Sequence, residues 1–165
     1  MPLGSAASIT VRRAQPEDLD RLIGLAVAEG EDRGLTRRRF DGDLESEDRE
    51  LFLATADGQL AGYGRTCRFE HDAGAPANVA PDGYYLSGIR VASAWRRCGI
   101  GEELTRVRLG WVFERAAEAW YFTNARNHAS LALHAKLGFA ELTRDFTYPG
   151  VSFAGGLGVL SRARR

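Results

Sequence analysis

The segment Arg96-Arg97-Cys98-Gly99-Ile100-Gly101 follows an apolar run, Tyr84 to Val91, and opens a long amphipathic stretch. A helix that starts there presents several unpaired N–H groups and roughly half a positive charge at its first turn. Two glycines let an anion approach those groups without meeting a Cβ atom. The chemistry this suits is the cradling of a phosphate or pyrophosphate along residues 96 to 102, from Arg96 to Glu102. A dinucleotide fingerprint would place a third glycine at position 104, where Leu104 stands, and no Gly-Lys-Ser/Thr triplet serves a nucleoside triphosphate.

A second chemical group lies downstream. Asn127, Ser130 and His134 are spaced three and then four apart, which places them on one helix face, with Leu133 and Leu137 on another. Taken alone, such a stripe reads as a solvated face, and Asn127 reads as an N-cap. His134 reads either as a proton-transfer group or as a packed imidazole that donates to a backbone carbonyl. Glu31, Asp32, Glu70 and Asp82 are candidate proton acceptors, each reading first as a surface residue. The acidic run from Asp41 to Asp48 follows Arg37, Arg38 and Arg39, which offset its field, so it too reads as a solvated face.

Read together, Ile89-Arg90-Val91, then Arg96-x-x-Gly99-x-Gly101, then Asn127-x-x-Ser130-x-x-x-His134-x-x-x-Gly138-Phe139 resemble the GCN5-related N-acetyltransferases. The resemblance covers residues 84 to 139. It implies acetyl-coenzyme A as donor and coenzyme A as product, with the pyrophosphate on Arg96, Arg97, Cys98, Gly99, Ile100, Gly101 and Glu102. It further implies that the pantetheine lies along Ile89, Arg90 and Val91 where the strand parts from its neighbour at Gly88, with Asn127, Ser130 and His134 facing the thioester. His134 stands where members commonly carry a tyrosine that assists the departing thiolate, although some small-molecule members share the histidine. An ordinary imidazolium is a stronger acid than an ordinary thiol, so His134 is the expected catalytic acid. The strand before the glycine loop holds no carboxylate, so the base used by some relatives is absent there.

For the acceptor, the resemblance implies a cleft bordered by the segment 30 to 45 and by the tail aromatics. Glu31, Tyr85, Phe146 and Tyr148 are the expected substrate contacts, with Phe153 beside them. The implied function is direct transfer of an acetyl group to the primary amine of a small molecule. Acetylation of a peptide or protein amine is one alternative, and a non-catalytic acyl-CoA-binding module is another. No metal is expected. Cys67 and Cys98 have no general base near them in sequence, which argues against an acyl-cysteine.

The elements that must hold these groups can be read from periodicity. Ile9 to Arg13 alternates as a strand, and Pro16-Glu17-Asp18-Leu19 starts a helix running to about Ala28, with Leu19, Leu22, Ile23 and Ala26 facing the core. A short second helix is predicted around residues 37 to 44. Asp57-Gly58 joins strands 51–56 and 60–69 as a hairpin. Residues 72 to 83 read as loop and 84 to 91 as a strand buried on both faces, in which Gly88 marks a bulge or a close approach. A helix over 100–117 carries Ile100, Leu104, Val107, Trp111, Val112 and Ala116 on one stripe. A strand over 120–125 precedes the Asn127 helix, which Gly138 ends. The expected fold is mixed α/β: a mostly antiparallel central sheet with flanking helices, forming one domain over 9–165. Residues 1–8 read as a disordered terminus or cloning remnant.

At 165 residues, with 44% hydrophobic and 27% charged residues, the chain has the composition of a soluble globular domain. Its formal net charge is zero, which gives no global field for nucleic acid or a membrane surface. Two cysteines and the lack of a secretory pattern fit a reducing cytoplasm. The apolar tail from Phe153 to Leu160 offers a homodimer contact.

Overall fold

A computed structural model describes residues 6–165. In chain order the elements are β1 (Ile9–Arg13), a 3-10 turn (Pro16–Asp18), α1 (Leu19–Ala28), α2 (Arg33–Glu45), β2 (Arg49–Ala56), β3 (Gln59–Phe69) and β4 (Gly83–Val91). A second 3-10 turn (Ser93–Trp95), α3 (Ile100–Phe113), β5 (Glu118–Asn124), α4 (His128–Lys136), β6 (Ala140–Thr143) and β7 (Gly158–Arg164) complete the chain. The strands form a seven-stranded sheet in the order β1-β2-β3-β4-β5-β7-β6. β1 and β2 are antiparallel, as are β5 and β7, and β6 and β7; β4 and β5 run parallel. The expected mixed α/β class, with its mostly antiparallel sheet and flanking helices, is the class observed. Residues 1–5 of the N-terminal stretch lie outside the described residues, and Ser8 is already tied to Asp57 by two bonds of 2.9 and 3.0 Å.

The chain divides into two compact units, one of residues up to Thr66 with Ser87–Arg108, the other of Cys67–Leu86 with Leu109–Arg165. In the first, Leu22, Ile23 and Ala26 of α1 pack with Phe40 of α2, Leu51 and Leu53 of β2 and Tyr63 of β3. The Phe40 and Tyr63 rings meet edge to face at 5.1 Å. In the second, Tyr85, Trp120, Leu160 and Ala80 form the core, with Phe69, Phe122, Phe146 and Tyr148 packed against it.

Local sequence accounts for most boundaries. Asp57 and Gly58 both take positive φ, 48° and 79°, which is the two-residue turn that suits strand twist. α2 begins earlier than predicted, at Arg33, because the Asp32 carboxylate caps it by accepting from Leu35 N at 2.8 Å. α3 ends earlier, at Phe113, where the backbone turns through Arg115 N to Val112 O. β4 is not buried on both faces: Tyr85 and Leu86 are buried, but residues 87 to 91 alternate between half-buried and exposed.

One residue of α3 breaks its expected pattern. Arg108 is fully buried, and among the described residues no carboxylate is its partner. Its guanidinium donates to the carbonyls of Leu104 (3.3 Å), Arg65 (3.1 Å) and Ser87 (3.2 Å) and to Thr105 Oγ1 (3.2 Å). Desolvation pushes it down to about 9, so it stays charged at neutral pH and is held by neutral acceptors alone. The space it fills exists because residue 64 is glycine: a Cβ there would stand 2.9 Å from Arg108 Cδ and Nε.

Candidate active site

In the first unit the chain leaves β4, makes the Ser93–Trp95 turn and enters α3 through residues 96 to 99. Arg97 takes φ 61° and Gly99 φ 88°, while α3 starts at Ile100 with Glu103 N donating to Gly99 O at 3.1 Å. The amides of Ile100, Gly101 and Glu102 therefore precede the first intrahelical bond and point out of the helix end. Left-handed backbone next to a helix start gathers successive N–H groups into a concave anion cradle. A Cβ at residue 99 would meet nothing closer than 3.7 Å, so conformation and not space makes glycine the suitable residue there.

The two loop arginines are held differently. Arg96 Nη2 donates to Glu29 Oε2 at 2.6 Å, and the same carboxylate accepts from Ser93 N and Oγ at 3.1 and 2.9 Å. The Ser93 bonds, then Arg96, hold the Glu29 carboxyl below its ordinary range. Glu29 thus fixes the loop entrance from the end of α1. Cys98 is exposed, with its thiol 3.5 Å from Arg96 O. The Ile100 side chain is buried, so only its backbone can meet a ligand. Glu102 pairs with Arg106 at 2.6 Å, one turn along the helix.

On β4, Gly88 adopts φ 40°, so the irregularity expected at this position is present. Ile89 is half-buried and Arg90 exposed. The Arg90 guanidinium pairs with Glu31, and this bond, with the nearby Tyr63 hydroxyl, raises it above its ordinary range. Burial raises the Tyr63 phenol, with the Glu31 charge adding to it. Glu31, Arg90 and Tyr63 form one polar cluster; Tyr63 is a buried member that its strand context alone did not mark.

In the second unit, Asn127 caps α4: its Oδ1 accepts from Ser130 N at 3.2 Å. Ser130 and His134 follow on the same face. His134 is buried, and its Nδ1 lies 2.8 Å from Ser130 O. A carbonyl oxygen can only accept, so Nδ1 carries the hydrogen. The ring stacks on Tyr121 of β5 with centroids 3.5 Å apart and planes within 1°, and Phe139 closes against its edge. The Tyr121 hydroxyl lies 2.9 Å from Ser130 Oγ, and burial raises its phenol above the ordinary range. Tyr121 was not singled out from the sequence. Its signal was strand alternation: Trp120 and Phe122 contact Tyr85 on one face of β5, which turns Tyr121 toward α4.

Of the expected acceptor residues, Tyr85, Phe146 and Tyr148 share one aromatic cluster of the second unit around Phe122, whereas Glu31 belongs to the first unit. Tyr85 is a core residue with its hydroxyl donating to Pro81 O at 2.7 Å, and burial raises its phenol. Phe146 packs among Phe122 and Phe153. Tyr148 rests on Phe69 at 4.4 Å and lines a cavity of about 450 Å³ with Asp72, Val79 and Thr147. Of the remaining carboxylates, Asp32 caps α2, Glu70 pairs with Arg68 at 2.5 Å, and Asp82 accepts from His71 N at 2.8 Å. Asp43 departs from the solvated-face expectation: it is buried and meets Arg65 in two bonds of 2.5 and 2.9 Å. α2 packs on β2 and turns this one acid of the run inward.

The model of the Acetyltransferase (GNAT) family matches residues 16–139. An Arabidopsis thaliana protein described as Probable N-acetyltransferase HLS1-like is 42% identical over 59 residues, which is 34% of this chain and 14% of that protein. The chain therefore matches about a seventh of that relative's length. Among solved structures, AAC(6')-Iy in complex with the bisubstrate analogue CoA-S-monomethyl-acetylneamine superposes with a TM-score of 0.72 at 22% identity, covering 87% of this chain and 99% of that one. Ribosomal-protein-alanine N-acetyltransferase from Brucella melitensis gives a TM-score of 0.70 at 23% identity, covering 94% and 99%. At such identities the structural likeness is one of fold. The family match covers most of the chain, and the chain belongs to the acetyltransferase (GNAT) family.

Proposed function

From this membership we propose that the protein is an N-acetyltransferase that takes its acetyl group from acetyl-coenzyme A and passes it directly to the primary amine of a small molecule. The observation that carries the donor is the 96–102 loop, where left-handed backbone at Arg97 and Gly99 meets the start of α3. The amides of residues 97 to 102 would hold the pyrophosphate, and the backbone of Ile89 and Val91 the pantetheine amides. When bound, the donor supplies an acetyl thioester. The amine's C–N bond forms as the C–S bond breaks, the electron pair leaves with sulfur, and the amine's surplus proton passes to water. The α4 face of Asn127, Ser130 and His134 serves the thioester and its departing sulfur.

For the acceptor we favour the second unit's cavity beside Tyr148. Its lining, with Pro76, Val79 and Pro149 beside Thr147 and Asp72, suits an ammonium on an apolar or aromatic body. Neutral overall charge and the internal pairing of Asp43 argue against a polycation held by the α2 acids. Turnover tests the reading: acetyl-CoA is offered with aromatic amines, aminoglycosides and N-terminal peptides, and thiol release is followed. Release with small aromatic amines is the expected result. Release only with peptides would move the activity to protein amines, and tight coenzyme A binding without release on any acceptor would make the protein a binding module.

A further inference from the structure

On the acetyl-CoA reading above, we infer that Arg108 is a positioning residue for the donor. Anchored on α3 behind the phosphate cradle, it holds the peptide between Ser87 and Gly88 and so sets the course of β4 where Ile89 and Val91 follow. Every group involved belongs to the first unit.

The directions of the Arg108 bonds carry it. A guanidinium presents its N–H groups in one rigid plane, so the partners it holds are held relative to one another. Nη1 spans two strands, giving to Arg65 O of β3 at 3.1 Å and to Ser87 O of β4 at 3.2 Å. Nη2 gives to Thr105 Oγ1 at 3.2 Å, and Thr105 passes its own hydrogen to Gly101 O at 2.7 Å. Gly101 lies in the first turn of α3, so one fork reaches from the cradle to the strand.

Peptide planarity gives this grip its consequence. The Ser87 carbonyl and the Gly88 N–H belong to one flat unit, and fixing the oxygen fixes the plane from which φ of Gly88 departs. Gly88 stands at φ 40°, although a Cβ there would meet nothing closer than Arg65 Cδ at 3.5 Å. Lack of space therefore does not impose the left-handed turn, and the held peptide does. The β3 side of the fork is rigid as well, because the Arg65 side chain is fixed on Asp43 by bonds of 2.5 and 2.9 Å. Arg108 is fully buried in the room that Gly64 leaves. An apolar side chain would fill that room without desolvating a charge, so the direction of the fork, and not its volume, is what the fold uses.

The test compares coenzyme A with adenosine 3′-phosphate 5′-diphosphate, which carries the pyrophosphate and no pantetheine. The ratio of the two affinities reads the strand and cancels the cradle. Calorimetry is run on wild type, Arg108→Met, Gly88→Ala and the double variant, each well below its melting temperature. Gly88→Ala acts on the same torsion from an exposed position, which keeps the test decisive if Arg108→Met does not fold. We expect coenzyme A to bind about tenfold more weakly to each single variant, with the nucleotide within about twofold of wild type in both. The double variant should be no weaker than Arg108→Met, since a peptide already released has no torsion left to disturb. Loosened packing or a lost charge would weaken the two ligands together, because both carry the phosphates. Equal losses for the two ligands would therefore overturn the inference, as would full coenzyme A affinity in Arg108→Met or in Gly88→Ala. Losses that add fully in the double variant would overturn the route through the Ser87–Gly88 peptide. If wild type binds coenzyme A no more tightly than the nucleotide, the placement of pantetheine on β4 fails, and this inference with it.

Discussion

At the scale of single residues, the chemistry depends on which hydrogens are already committed. His134 illustrates this. Sequence spacing puts it on one face with Asn127 and Ser130, but its tautomer is set by the Ser130 carbonyl one turn before it and its stack by Tyr121, thirteen positions before it. His134→Phe keeps a ring on Tyr121 and removes the Nδ1–H bond. We expect about tenfold lower turnover, coenzyme A affinity unchanged, and a loss of roughly 1 kcal/mol in stability, the ordinary worth of one hydrogen bond. Unchanged turnover would show that the ring only packs. Asp43 is the reverse case, an acid that composition assigns to solvent and tertiary packing buries. Removing one partner of a buried pair strands the other, so Asp43→Ala should lose about 3–5 kcal/mol by denaturant titration. Glu45→Ala, on the solvated part of the same run, should lose less than about 0.5 kcal/mol. No local pattern distinguishes the two acids; only the arrival of Arg65 from β3, 22 residues on, does so.

Elements were legible where local chemistry sets their ends. β1, the Asp57-Gly58 hairpin, the Asn127 cap and the Gly138 stop could be read because each is decided by two or three adjacent residues. The start of α2 was misplaced because its first turns carry no buried apolar residue before Phe40 and its signal is a single capping aspartate. Arg108 was unreadable for a deeper reason: a charged residue on an apolar stripe normally argues against burial, and here the compensating carbonyls come from two strands and a preceding turn. The matching vacancy at Gly64 makes the arrangement testable. Gly64→Ala should cost about 1–3 kcal/mol, because its methyl overlaps a side chain that cannot move. In an Arg108→Ala background the same change should cost almost nothing, and the coupling is the measurement. A Gly64→Ala cost that is the same in both backgrounds would mean that strand backbone, not Arg108, senses the methyl.

At the scale of the whole molecule, acid sensitivity should be set by a few paired carboxylates and not by net charge, which is zero. Asp18 is buried and accepts from Arg12 at 2.7 and 2.8 Å, Arg21 at 2.6 Å and Gln15 N at 2.8 Å. The Arg12 bonds come first among the causes that hold its carboxyl well below the ordinary range. A depressed folded-state value gives stability that is fully present above the unfolded carboxyl value, about 4, and is lost as pH falls through the folded one. The melting temperature of wild type should therefore drop below about pH 4 more steeply than that of Asp18→Asn, which starts lower at pH 7. Parallel curves would place the acid-sensitive groups elsewhere.

The family sets the reaction class, but this chain's claim to it rests on the loop before α3. Coenzyme A and pantetheine, which lacks the pyrophosphate and the 3′-phosphoadenosine beyond it, separate that claim from general apolar binding when the loop is varied as well. By calorimetry at one salt concentration, wild type should bind coenzyme A at least about a hundredfold more tightly than pantetheine, since each anion contact at a helix start is charge-assisted. Gly99→Val, which forces a β-branched residue toward φ 88°, should bring coenzyme A down to the pantetheine affinity and leave pantetheine unchanged. Equal affinities of wild type for the two ligands, or full coenzyme A affinity in Gly99→Val, would contradict the account.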